Sequence, residues 1–140
     1  MDSNILIFKV NNSLFAIDAI DIELLTTNYR LENIPNKNNI HITYVKGKVI
    51  PVIDIHQYLF SINIERSNKN TLVICNYQNK SFAFEVNNIQ KLLHVTSNTK
   101  CGNAFLTAGN EHIVEKYIYD NGDLIGLLNI DNIKGEACNV

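Results

Sequence analysis

Apolar residues in this chain nowhere keep a helical period over the roughly eleven residues that an amphipathic helix needs. Short β-branched runs alternate with turn residues instead. Asn4 to Val10 is apolar-rich and stops at Asn11-Asn12, a pair that tolerates the positive φ of a tight hairpin; Leu14 to Ile17 then resumes as a strand. Asp18 caps a brief turn through Ile22, and Glu23 to Thr27 returns to extended structure. The polar stretch from Asn28 to Asn39, with Ile34-Pro35 inside it, reads as a loop. Thr71 to Tyr77 and Ser81 to Val86 form a hairpin around Gln78-Asn79-Lys80. Asn87 to Leu93 reads as a turn or one more strand, and Ser97 to Gly109 as irregular chain. Glu111 to Tyr119 and Leu124 to Asn129 pair across Asp120-Asn121-Gly122-Asp123, the strongest hairpin signal in the sequence. Ile130 to Lys134 supplies a closing helical turn behind Asn129 or Asp131. Many short strands at close spacing predict an all-β chain of small barrels.

The densest unit is YVKGKVIPVIDIHQYL, residues 44–59. Ile40 to Val45 runs into a tight Lys46-Gly47-Lys48 turn, and Val49 to Ile53 follows it. Pro51 cannot donate to a β-ladder, which predicts a sheet edge or a bulge there. Asp54 is placed to cap a short helix through Phe60, with Gln57 three positions on as its capping-box partner. The mostly polar segment Ser61 to Asn70 separates two groups of strands. One domain over residues 4–134 is expected, with lobes of roughly 4–60 and 71–134, and strand exchange between them stays open.

Composition excludes several jobs. A net charge of −2, with no basic stripe, gives no electrostatic case for nucleic acid or an anionic membrane. No apolar run approaches the roughly eighteen residues of a membrane span, and the opening MDSNILIFKV lacks the features of a signal peptide. Cys75, Cys101 and Cys138 are odd in number and far apart, which suits reduced thiols and a cytoplasmic setting. A 46% hydrophobic fraction is ample for a packed interior.

Chemistry finds little support. His41, His56, His94 and His112 fall in different elements, so a metal or general-base site would require the fold to gather them with a carboxylate. Asp18/Asp21 and Asp120/Asp123 flank turns, where capping and solvation account for them. Cys75 sits among apolar strand residues as a small hydrophobe, and Cys101 has no base near it in sequence. No nucleophile-elbow, zinc-protease, phosphate-loop or dinucleotide motif occurs, and no cofactor is expected.

The order of segments resembles the CheW-like family of bacterial chemotaxis scaffolds. Phe15-Ala16-Ile17-Asp18-Ala19 with Ile22, then Ile34-Pro35, Ile42 to Gly47, and Pro51-Val52-Ile53-Asp54-Ile55 follow the family pattern in the first half. Thr71-Leu72-Val73-Ile74, Phe82 to Val86, Ile89, Leu93 and Ile125 to Ile133 follow it in the second. The departures concern contact positions: Lys46 stands where the family has arginine and Tyr44 where it has asparagine. Leu24 falls on a family glutamate, with Glu23 displaced by one place, and Asn87 on an aspartate. The resemblance implies two SH3-like five-stranded β-barrels over a shared hydrophobic core. It implies a non-catalytic adaptor that couples the cytoplasmic tip of methyl-accepting chemoreceptors to the regulatory domain of a CheA-type histidine kinase, without membrane insertion. A module recruited to another signalling system is the alternative, and a small metal- or ligand-binding enzyme a remote one. Tyr44, Val45, Lys46 and Gly47 are the expected partner-binding patch, with Pro51 and Asp54 as structural residues.

Overall fold

A computed structural model describes residues 2–35, 40–65, 67–103 and 113–137. Twelve strands, two short α-helices and one 3-10 turn are present among them. The strands are β1 (Ser3–Val10), β2 (Ser13–Asp18), β3 (Ile22–Thr26), β4 (Glu32–Asn33), β5 (Ile40–Val45), β6 (Lys48–Ile53), β7 (Thr71–Tyr77), β8 (Lys80–Val86), β9 (Asn88–Val95), β10 (Lys100–Asn103), β11 (Val114–Asp120) and β12 (Asp123–Leu128). Helix α1 (Ile55–Phe60) follows β6 and α2 (Ile130–Ala137) follows β12. The predicted all-β class is what forms, with two SH3-like barrels.

Two six-stranded sheets carry the fold, in the orders β10-β11-β12-β2-β1-β9 and β4-β5-β6-β8-β7-β3. Strand by strand these orders correspond. Each sheet joins an antiparallel hairpin to a second one through a parallel contact, β12 with β2 in one and β6 with β8 in the other. The chain therefore runs twice through the same program: hairpin, two strands, hairpin, helix. Each half lends its opening hairpin to the other half's sheet, β1–β2 to the sheet of β9–β12 and β7–β8 to that of β3–β6. Each sheet therefore draws strands from both sides of the 61–70 segment. Each sheet also counts six strands rather than the expected five, one of them the two-residue β4.

Packing explains the continuous apolar runs of β1, β7 and β8, which are buried on both faces. Ile5 and Ile7 point into a cluster with Ala16, Ile118 and Ile125, inside one sheet's barrel. Leu72, Ile74 and Ala83 do the same in the other, with Ile50 and Val52. The alternate residues Leu6, Phe8, Phe15, Ile17, Val73, Cys75, Phe82, Phe84 and Val86 meet between the sheets, together with Ile55 and Leu59 of α1 and Ile133 of α2. Phe8 and Phe84 touch across this layer at a ring separation of 5.6 Å. Burying each ring contributes about 1.5–3 kcal/mol, so this shared layer fixes how the two barrels sit.

Local chemistry sets the element ends. Asn11, Lys46, Gln78, Asn79 and Asn121 all take positive φ in hairpin turns, with Gly47 and Gly122 completing two of them. Asp54 accepts the Gln57 N–H at 3.2 Å, so the predicted cap forms. The Gln57 side chain instead donates to Asn63 at 2.7 Å, leaving the capping box half made. Asn129 caps α2 by accepting the Asn132 N–H at 3.2 Å. Pro51 does not mark an edge strand, because β6 lies between β5 and β8. Its ladder with β8 is confined to Val52 and Ile53, so the proline stands where only the β5 side is paired.

Candidate protein interface

The β5–β6 hairpin ends in a two-residue turn with φ of 51° at Lys46 and 80° at Gly47. Tyr44 lies opposite Val49 in the ladder, and the two side chains share one face. Tyr44 is 61% and Val49 55% exposed, so an aromatic–aliphatic pair stands in solvent. Lys46 and Lys48 are exposed beside it and give the tip a cationic character. Val45, on the opposite face, is half-buried and packs against the Ile50–Val52 cluster. The expected patch is therefore split: Tyr44, Lys46 and Gly47 face outward, whereas Val45 anchors the strand. Thr43 adds a second anchor, its buried hydroxyl donating to the Arg30 carbonyl at 2.8 Å.

The β11–β12 hairpin repeats this arrangement at the corresponding positions. Its turn is Asn121-Gly122, with φ of 49° and 85°, and Tyr119 lies opposite Leu124. Tyr119 and Leu124 are 53% and 48% exposed. Here the turn is flanked by Asp120 and Asp123, and Lys91 holds Asp120 at 3.0 Å. The two tips thus carry the same apolar pair with different charge. Sequence alone did not single out Val49, Tyr119 or Leu124 as surface residues. Counting two positions out from each turn would have found them.

Two further exposed apolar residues lie beside β1. Ile20 is 86% exposed in the 3-10 turn that leaves β2, and Leu92 of β9 is 62% exposed. Leu92 pairs with Leu6, which pairs with Ile17, so all three share the face that meets the other sheet. Leu6 and Ile17 are covered there, while Leu92 stands at the sheet's edge and is not. Around Ile20, Asp18 accepts the Ile20 N–H at 3.2 Å. Burial, then Asp18 and then Asp131 hold the Asp21 carboxyl above the usual carboxylate range. Glu23 is exposed and Leu24 half-buried on the opposite face, with a register break between Ile22 and Leu24.

The candidate chemical groups do not converge. His41 bonds Asn33 at 2.8 Å, His94 bonds Asn4 at 2.9 Å, and His56 bonds Asn87 at 3.0 Å; His112 lies outside the described residues. His56 is 1% exposed, and the Asn87 Oδ1 that it meets also accepts the Asn11 N–H at 2.6 Å. That oxygen only accepts, so Nε2 of His56 carries the proton. Asn87 therefore pins α1 and the β1–β2 turn to the crossing between the sheets. Burial pushes the Cys75 thiol up, which keeps it an inert core residue, and Cys138 lies outside the described residues. Among the described residues no group of three His, Cys, Asp or Glu is arranged to hold a metal ion. An open groove of about 500 Å³, lined by Lys9, Asn11, Asn63, Ser67 and Asn87 among others, contains no histidine or cysteine.

The family model for the CheW-like domain matches residues 4–137. The chain belongs to the CheW-like family. Solved structures that it matches include the crystal structure of the scaffolding protein TtCheW from Thermoanaerobacter tengcongensis. That match has a TM-score of 0.83 at 19% sequence identity and covers 93% of this chain and 90% of the other. No curated protein sequence matches the chain. In this CheW-like chain no helix among the described residues is long and apolar enough to cross a membrane.

Proposed function

We propose that this chain is a non-catalytic chemotaxis adaptor of the cytoplasm, joining the cytoplasmic tip of chemoreceptors to the regulatory domain of a CheA-type histidine kinase. One observation carries the reading. Two separate sheets present equivalent hairpin tips, each with an exposed tyrosine–aliphatic pair, Tyr44/Val49 and Tyr119/Leu124. Two such pairs left in water at matching places support contact with two neighbours. Aromatic residues at the centre of a small patch are the side chains that contribute most at interfaces. The charges differ, cationic at Lys46 and Lys48 and carboxylate-bearing at Asp120 and Asp123, which favours different partners for the two tips. Ile20 and Leu92 offer a further apolar rim beside β1, suited to the side chains of a packed helix or strand.

The family match and the likeness to a chemotaxis scaffold support this role, and the scattered histidines favour it over a metal enzyme. Tyr44 and Lys46 depart from the family pattern at the first tip, which favours partners specific to this chain's own system. The test is binding of the kinase regulatory domain and the receptor tip from the same organism. Lys46→Glu reverses a charge on an exposed turn and is expected to weaken association without shifting the melting temperature. Unchanged binding of both partners by this variant removes the first tip from the interface.

A further inference from the structure

The geometry points to Asn121 as a site of spontaneous deamidation that alters the β11–β12 tip. Among the described residues four hairpin turns use left-handed residues, at Asn11, Lys46, Gln78-Asn79 and Asn121. Only at Asn121 does a side-chain amide precede a glycine, and Asn121-Gly122 is the sole Asn-Gly pair in the sequence. Asn12 is followed by Ser13 and Asn79 by Lys80, whose side chains crowd the nucleophilic nitrogen; Lys46 has no side-chain carbonyl. Asn121 and Gly122 are both exposed, and a Cβ added at Gly122 would meet nothing within 4 Å, so water and base reach the peptide bond freely. The last ladder pair is Asp120 with Asp123, which leaves the Gly122 N–H outside the strand hydrogen bonds.

The reaction needs only water. Rotation about ψ of Asn121 brings the Gly122 main-chain nitrogen to the side-chain Cγ. A C–N bond forms there, the nitrogen gives its proton to solvent base, and the side-chain amide nitrogen takes up a proton from water and leaves as ammonia with the electrons of its broken bond. The resulting five-membered succinimide is opened by water at either carbonyl, giving aspartate or isoaspartate. Aspartate places a third carboxylate between Asp120 and Asp123, adding like charge to a tight turn. Isoaspartate also lengthens the main chain by a methylene, which a two-residue turn of this type cannot hold. Either product changes the surface beside Tyr119 and Leu124; that functional consequence rests on the interface proposed above, whereas the chemistry does not.

The test ages the intact protein in mildly alkaline buffer and follows peptides by chromatography and mass spectrometry. The peptide containing Asn121 is expected to gain the mass of an amide-to-acid change and to split into aspartyl and isoaspartyl peaks. The peptides of Asn12-Ser13 and Asn79-Lys80 should stay intact over the same interval. Gly122→Ala abolishes the modified peaks, and Asn121→Gln does so while keeping the fold, since Gln78 already adopts a φ of 52° in another hairpin turn of this chain. An intact Asn121 after another asparagine has been modified overturns the inference, as does modification that persists in both variants. The mass readout is independent of partner binding, so it fails separately from the adaptor reading.

Discussion

Lys46 is a poor residue for its conformation, and replacing it separates turn stability from surface charge. With φ of 51° followed by 80° at Gly47, the pair needs both central residues in the left-handed region, where Asn-Gly is the preferred sequence. A left-handed non-glycine residue costs about 1–2 kcal/mol, and asparagine recovers part of it, so Lys46→Asn is expected to stabilise the protein by roughly 0.5–1 kcal/mol. For a chain of this size that raises Tm by about 2–4 °C. A Cβ at the neighbouring Gly47 would meet nothing within 4 Å and Lys46 is exposed, so no packing loss offsets the gain. The same change removes one positive charge from the tip proposed to face a partner. An exposed ion pair contributes about 0.2–1 kcal/mol, which means up to a roughly fivefold loss of affinity, expressed mainly in the association rate and larger at low salt. Lys46→Gln is the control: it removes the charge without supplying asparagine's preference for the turn. Thermal melts and titration calorimetry on the three proteins should therefore show Tm up for Asn only, and binding down for both. A lower Tm for Lys46→Asn would refute the turn argument. Unaltered binding by both variants at low salt would refute the role of the charge.

Two other perturbations probe packing and electrostatics. Gly126→Ala places a Cβ 2.9 Å from Phe15 Cδ1 and 3.4 Å from Tyr117 Cε1, and Phe15 is held edge-on to Phe60 at 6.0 Å. Overpacking of this kind costs about 1–3 kcal/mol, and the double variant Gly126→Ala/Phe15→Leu should lose less than the sum of its parts in denaturant titrations. Asp21→Asn is expected to raise Tm at neutral pH. Its folded-state pKa is raised, so the folded state binds more protons than the unfolded one between the two values, and stability falls as pH rises through that window. The advantage of the variant should vanish in melts below the usual carboxylate range.

The hairpin turns were legible because left-handed residues have a small vocabulary: Asn11-Asn12, Lys46-Gly47, Gln78-Asn79 and Asn121-Gly122 all appear where the sequence put them. N-caps have a small vocabulary of their own, so Asp54 was legible outright and Asn129 as one of two candidates beside Asp131. The short strands β4 and β10 were not, since two and four residues carry no periodicity and exist through partners far along the chain. Nor could local pattern show the exchange of opening hairpins. β1 and β7 look alike, and only the parallel contacts of β2 with β12 and β8 with β6 decide which sheet each hairpin joins. Pro51 misled by the same route: a residue that signals an edge is accommodated in a central strand by a ladder that begins one residue later. Within the candidate interface, Tyr44 and Lys46 were readable from the turn. Ile20 and Leu92 were not, because their exposure follows from where sheet order leaves an edge uncovered.

The direct measurement is analytical ultracentrifugation of this chain with the kinase regulatory domain and the receptor tip together. The account predicts a ternary species that the Tyr44→Ala variant reduces to a binary complex while Tyr119→Ala loses the other arm. Competition between the two partners for one site, or no association with either, would contradict it.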